Sequence, residues 1–300
     1  MQNIRVGDAN HITREYFDSL LIEMRHFDSV IPDTTLKLYG ETFSTPVMMA
    51  ALSHLESCHP GGMTEMAKGA KAAGAVMWAG MGDYDELERI TATGARTIKI
   101  IKPYADNEFI LKKIEHAEIC GCIAVGMDLD HSFNGSGEYD IIHDLKMSGK
   151  SLDEVKQFVK ATKLPFIIKG VLSETDAYKC IEAGIAGIVV SHHHGIMDFA
   201  VPPLMVLPEI MKVIGDKMPV FVDCGVENGF DVFKAIALGA AAVSVGRAMM
   251  PPLSENGADG IVKTVRSITA QLAGAMAKTC AHDIAQIEAS MIWEKQPRWI

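Results

Sequence analysis

The chain has no arginine between Arg96 and Arg247, no CxxC pair and no run of 18 uncharged apolar residues. Each of these gaps removes a class of protein. Without CxxC knuckles, the six cysteines at 58, 120, 122, 180, 224 and 280 read as free thiols in apolar segments, and Cys120-Gly-Cys122 reads as a structural turn. Without a long apolar run no membrane-spanning helix is expected, and the opening MQNIRVGDANHITREYF lacks the apolar core of a secretory signal, so the expected location is cytoplasmic. A formal net charge of -10 argues against a general nucleic-acid surface, because phosphate backbones are bound by clustered Lys and Arg. No strict repeat, low-complexity tract or Pro/Ser linker divides the chain. A single domain over 1–300 is expected, with 1–44 as an N-terminal extension and 258–300 as C-terminal helices.

What is present is a recurring alternation. Short runs rich in Val, Ile and Ala occur at 45–51, 75–80, 97–101, 123–129, 165–171, 187–192, 219–225 and 242–248, each followed by a segment of helical periodicity. Several helical segments open on a capping side chain, such as Ser151, Ser173 or Asn228, and several close on Ala-Gly or Gly-Ala. Eight strand-helix units in one domain predict an α/β fold, a (β/α)8 TIM barrel. The rival, a doubly wound open sheet, would carry GxGxxG after its first strand, where this chain has AALSHLESCHPGG. The stretch 130–150, rich in Gly, Ser and Asn, is expected to be a mobile loop over the barrel mouth.

In such a fold the chemistry sits at the carboxyl ends of strands. Lys169 closes the fifth run, and His192, His193 and His194 follow the sixth. Alternation along a strand keeps three successive histidines from sharing a pocket, so His193 is expected to act as a single acid/base group and no metal site is expected. Its bland rival is a cluster that only satisfies loop hydrogen bonds. Asp128, at the exit of the fourth run, is the candidate carboxylate to hold the second ring nitrogen, against the alternative of a loop-capping Asp. Asp223, Gly225, Gly246 and Arg247 end the last two runs, where barrels often hold phosphate through backbone N–H groups and one cation.

The run IIKG…EAGIAGIVVSHHHG…VPPL…LPEI…VFVDCGVENGFDVFKAIALGAAAVSVGRAMM resembles the FMN-dependent α-hydroxy-acid dehydrogenase/oxidase family, and the likeness extends to TPVMMAALSHLESCHPGG and to the final helices. The chain is similar to a short, divergent member. The resemblance implies FMN as cofactor, a small-molecule substrate, an electron acceptor of unknown identity, and a homo-oligomer such as a tetramer. It puts His193 at the base and Asp128 at its carboxylate partner. It puts Lys169 beside the flavin pyrimidine edge, Ser191 on the same strand, and Ala51, Leu52 and Ser53 beside the ring system. Asp223, Gly225, Gly246 and Arg247 match ribityl and phosphate contacts, Lys99 stands where the family has a flavin-contacting glutamine, and Gly80 joins the expected cofactor residues.

The departures concern the substrate. Ile196 occupies the position of the family's substrate-carboxylate arginine, a second arginine after strand four is missing, and Glu227 replaces a phosphate-site arginine. A bidentate grip on a carboxylate needs a guanidinium fork, so the expected substrate lacks a small free α-carboxylate or is held by a lysine such as Lys102. The expected reaction is oxidation of a hydroxyl-bearing carbon. A reduced-flavin isomerase or reductase, a non-catalytic flavin or phosphate binder, and a flavin-free phosphate-binding barrel are the rivals.

Overall fold

A computed structural model describes residues 5–295. The strands are β1 (Val47–Met49), β2 (Met77–Ala79), β3 (Thr97–Ile101), β4 (Ala124–Asp128), β5 (Phe166–Val171), β6 (Gly187–Val190), β7 (Val220–Val222) and β8 (Ala242–Val245). They form one parallel sheet in the order β1-β8-β7-β6-β5-β4-β3-β2. The sheet rolls into a nearly closed barrel whose seam, between β1 and β2, is held by a bridge between Leu52 and Ala79 and by Gly80 N–H donating to the Leu52 carbonyl at 2.7 Å. The helices alternate with the strands: α1 (Gly62–Ala72), α2 (Tyr84–Ala92), α3 (Asn107–Ile119), α4 (Leu152–Lys160), α5 (Glu174–Ala183), α6 (Pro203–Ile214), α7 (Gly229–Ala237) and α8 (Met250–Thr279). This is the expected (β/α)8 TIM barrel.

Local chemistry fixes the helix ends. Ser151 and Glu154 form a reciprocal capping box on α4, Asn228 accepts from two backbone N–H groups of α7, and Gly184 closes α5 in the left-handed conformation that a glycine takes without penalty. The C-terminal helix ends earlier than the sequence suggests. It kinks at Asn256–Gly257 and stops at Thr279, beyond which come short turns and the strand Ile292–Glu294. That strand pairs antiparallel with Leu20–Ile22, tying the two ends of the described chain together. The N-terminal extension is also structured: a helix, Ala9–Ser19, lies near the mouth, and a hairpin, Leu36–Leu38 with Glu41–Phe43, plugs the opposite end of the barrel.

Period-two alternation sorts every strand residue. Met48, Trp78, Ile98, Ile100, Ala124, Ile167, Val189, Phe221 and Ala242 pack together inside the barrel, with Trp78 edge-on to Phe221 at 5.4 Å. Their strand neighbours, such as Val47, Met77, Ile101, Val125 and Ile168, face the helices. Continuing the inward parity toward the carboxyl ends gives Ala50, Gly80, Lys102, Asp128, Lys169, Ser191, Asp223 and Ser244. The barrel thereby changes from apolar filling to a ring of polar groups within one residue pair.

Candidate active site

Lys169 and Asp128 are register partners on β5 and β4, so their side chains emerge side by side. Lys169 Nζ lies 3.2 Å from Asp128 Oδ1, 3.4 Å from Ser191 Oγ and 3.6 Å from Asp223 Oδ2. Lys102 Nζ donates to the other Asp128 oxygen at 2.7 Å. Burial pushes Asp128 up, but Lys169, then His193 and Lys102, hold it well below the usual carboxylate range. Burial opposes the Lys169 charge, yet Asp128 and Asp223 raise it well above an ordinary lysine. Both groups are therefore charged at neutral pH.

The histidines leave the strand pattern because β6 ends at Val190 and the chain turns, with His193, His194 and Gly195 all in the left-handed region. The three imidazoles diverge. His192 Nδ1 accepts from the Gly195 N–H at 2.9 Å, so its Nε2 carries the proton that bonds Thr13 Oγ1 at 2.7 Å, and it is a buried structural group. His194 lines the cavity wall; burial and then Arg247 push it down to about 4, so it is neutral. His193, with its side chain 26% exposed, turns Nδ1 toward Asp130 Oδ1 at 2.9 Å and Asp128 Oδ1 at 3.2 Å, with Lys169 Nζ 3.1 Å from the same nitrogen. Its Nε2 makes no hydrogen bond among the described residues. Burial, and the Lys169 charge with it, lower the His193 pKa, but the Asp128 charge and the hydrogen bonds to Asp128 and Asp130 outweigh them and the net direction is upward. His131 packs edge-on against the His193 ring with centroids 4.2 Å apart.

A cavity of about 470 Å³ opens beside this cluster, within the range of cofactor sites. Ala51, Leu52, Lys169, His193, Asp223, Gly225, Gly246, Arg247 and Ile196 line it. Arg247 is exposed and engaged by no hydrogen bond or ion pair among the described residues, and Gly225, at φ +78, and Gly246 present bare backbone to the wall. A free guanidinium, glycine backbone and a charged lysine in one cleft suit an anionic, ring-bearing group with a phosphate tail.

Four expected cofactor residues stand elsewhere. Ser191 is buried beneath the cavity, where its hydroxyl takes the His193 backbone N–H at 3.0 Å. Gly80 sits in the seam, where a Cβ would lie 2.6 Å from the Ala51 carbonyl oxygen, a packing reason for glycine. Ser53 follows the cavity-lining segment without lining it. Lys99 has the outward parity of Thr97 and Ile101: its amine bonds the Gly80 carbonyl among Lys113 and Glu86, and burial, then Lys113, lowers it to about 8. The inward lysine of that strand end is Lys102, and its ion pair with Asp128 withdraws it from the role of carboxylate holder.

Four groups escaped the sequence reading. Asp130 and His131 lie in what looked like featureless loop, although Asp130 is two residues beyond Asp128. That loop holds a short turn, Leu129–Ser132, and a hairpin, Ile141–Ile142 with Leu145–Lys146. Arg14 and Asn10, from the N-terminal helix, reach the cavity wall. Arg14 is consumed by Asp231, Asp18 and the Gly225 carbonyl, while Asn10 holds the His194 carbonyl at 3.0 Å. Asp128, Asp130 and His193 are also close enough to share a cation, but the Lys102 and Lys169 ammoniums already supply Asp128 with the positive charge a metal would bring.

Residues 7–151 and 146–294 match the profile of the family described as FMN-dependent dehydrogenase. A peroxisomal (S)-2-hydroxyacid oxidase of Arabidopsis thaliana is 30% identical over 267 residues, covering 78% of this chain and 73% of that protein. Glycolate oxidase of Spinacia oleracea is 29% identical over 297 residues, covering 87% and 80%. Among solved structures, a mandelate oxidase variant with the monooxide FMN adduct superposes with TM-score 0.86 at 27% identity, over 97% of this chain and 92% of that one. A mandelate oxidase variant with 2-hydroxy-phenylacetamide gives 0.87 at 25%, over 98% and 92%.

Proposed function

The chain belongs to the FMN-dependent dehydrogenase family, and from that premise we propose how its residues divide the oxidation of a CH–OH carbon. Bound FMN supplies the acceptor for the two electrons that leave the substrate carbon. Gly225, Gly246 and Arg247 would hold its phosphate end, Ala51 and Leu52 would line the wall beside its ring system, and Lys169 offers a fixed positive charge to an anion in the cavity. His193 is the base. With Nδ1 engaged by carboxylates, Nε2 is the free ring nitrogen, and it takes the substrate hydroxyl proton while the carboxylates stabilise the imidazolium that results. The observation that carries this reading is His193 at the cavity wall with Nδ1 held by Asp130 and Asp128. The named relatives are oxidases of hydroxy acids, which favours oxidation over the isomerase, reductase and non-catalytic readings.

The substrate is proposed to lack a small free carboxylate. Ile196 is 39% exposed at the cavity and offers no charge, Lys102 is tied to Asp128, and Arg14 is tied to Asp231. Anaerobic stopped-flow reduction with glycolate, lactate, mandelate and the neutral 2-hydroxy-phenylacetamide tests this. The amide is expected to reduce the flavin faster than the acids; rapid reduction by any of the three acids overturns it. His193→Gln should lose flavin reduction while keeping FMN, and an unchanged single-turnover rate in that variant removes His193 from the role of base.

A further inference from the structure

His193 faces two carboxylates, and they are not equivalent. Both oxygens of Asp128 are already taken by ammonium groups, Oδ2 by Lys102 at 2.7 Å and Oδ1 by Lys169 at 3.2 Å. Among the described residues no lysine hydrogen-bonds Asp130, although the Lys169 charge acts on it. Its Oδ1 bonds only His193 Nδ1, at 2.9 Å, the shorter of the two carboxylate contacts to that nitrogen, and its Oδ2 is buried with no partner among the described residues.

The backbone is shaped to admit this carboxyl. β5 carries a register shift between Lys169 and Val171, and Gly170 at the shift has φ +93. A Cβ on Gly170 would lie 2.6 Å from both Cγ and Oδ2 of Asp130. The carboxyl therefore occupies the space that a side chain at 170 would fill. The residue after Asp130, His131, packs edge-on against the His193 ring.

We propose that Asp130 is the positioning residue of the base: it, rather than Asp128, holds the Nδ1 proton of His193 and keeps Nε2 unprotonated toward the cavity, while Asp128 serves as the counter-ion of Lys102 and Lys169. This rests on the assignment of His193 as base. A carboxylate that already shares its charge with two ammoniums is a weaker partner for a third donor, whereas one with a single hydrogen-bond partner offers that donor more of its strength. Burial and then the Asp128 charge push Asp130 up, so this carboxylate is more basic than an ordinary one and binds an imidazolium N–H correspondingly well. The charged and titratable groups around the pair are Asp128 from β4, Lys169 from β5 and His131 from its own segment. Lys102 acts through Asp128. Lys150, Asp176 and Lys179 stand along a second cavity of about 440 Å³ on the outer side of Asp130.

The test is the titration of His193 in FMN-loaded protein labelled with 15N-histidine, the signal being assigned by its loss in His193→Gln. Wild type should show Nδ1 protonated in the neutral ring and a midpoint above the ordinary imidazole value. Asp130→Asn should lower the midpoint by about one unit, and Asp130→Glu should bring it back toward wild type. Gly170→Ala evicts the carboxyl without removing its charge from the chain, and should reproduce the effect of Asp130→Asn if that variant folds poorly. With 2-hydroxy-phenylacetamide as probe, the acid limb of flavin reduction should move to lower pH in Asp130→Asn and its plateau should fall by roughly 10- to 100-fold. A His193 midpoint and tautomer unchanged in both Asp130→Asn and Gly170→Ala overturn the proposal, as does a rate loss without either change, which marks a merely structural role. A histidine that titrates as expected in a protein that reduces its flavin with no hydroxyl compound removes the assigned reaction but leaves the Asp130 pairing standing.

Discussion

Ile196 separates binding from chemistry at a single position. An arginine there would bring a guanidinium to a wall where the other two arginines, Arg14 and Arg247, are tied to Asp231 or face the glycine-lined end. One charge-assisted hydrogen bond is worth about 1.5–3 kcal/mol, or roughly 10- to 100-fold in rate or affinity. Ile196→Arg is therefore expected to raise flavin reduction by glycolate or mandelate at least about 10-fold; an unchanged rate in stopped flow would show that something other than the missing arginine bars small acids. At this scale the sequence was readable where a residue ends a strand. Lys169, Asp128 and His193 announce themselves as polar groups after apolar runs, and the structure gathers them within hydrogen-bonding distance. Lys99 was expected at the cofactor from the resemblance alone, and the strand TIKII, buried on both faces, has no alternation of hydrophobicity to show that Ile98 and Ile100 are the inward residues and Lys99 an outward one. Asp130 was hidden by loop composition, and Arg14 by partners more than 200 residues away in sequence.

At the scale of elements, close approach and capping make different demands. Gly126, midway along β4, has no room for a Cβ, which would strike the Ile167 carbonyl of the neighbouring strand. A backbone atom cannot swing aside as a side-chain tip can, so Gly126→Ala should cost about 1–3 kcal/mol as overpacking does. Ser151→Ala, which removes one half of the α4 capping box at the surface, should cost about 1 kcal/mol. Urea midpoints should rank wild type, Ser151→Ala, Gly126→Ala in falling order, and the reverse order of the two variants would refute the packing argument. The eight strands and their helices were legible because caps and apolar runs are local signals. The short hairpin at 141–146 was not: its turn residues His143 and Asp144 take positive φ without a glycine to advertise it.

For the whole molecule, acid should act through buried histidines. His131 and His194 are both held near 4, His131 by burial and then Lys102, His194 by burial and then Arg247, against an ordinary 6.5. A base whose folded pKa is depressed contributes stability that is complete above its unfolded value and is lost as the unfolded chain takes up the proton the fold refuses. Asp128, also depressed, keeps its contribution until the pH falls below the ordinary carboxylate value, while Asp130, shifted the other way, takes up its proton in the fold above that value and so offsets part of the histidine loss. The urea midpoint of FMN-loaded protein should thus fall between pH 6.5 and about 4, and His131→Gln should flatten that slope; a level midpoint across the window would exclude this coupling. The two ends of the described chain meet in the ladder of Leu20–Ile22 on Ile292–Glu294. Like a belt fastened by its buckle, the ladder closes the polypeptide into a loop without a covalent bond, and removing either strand leaves the other without its partner.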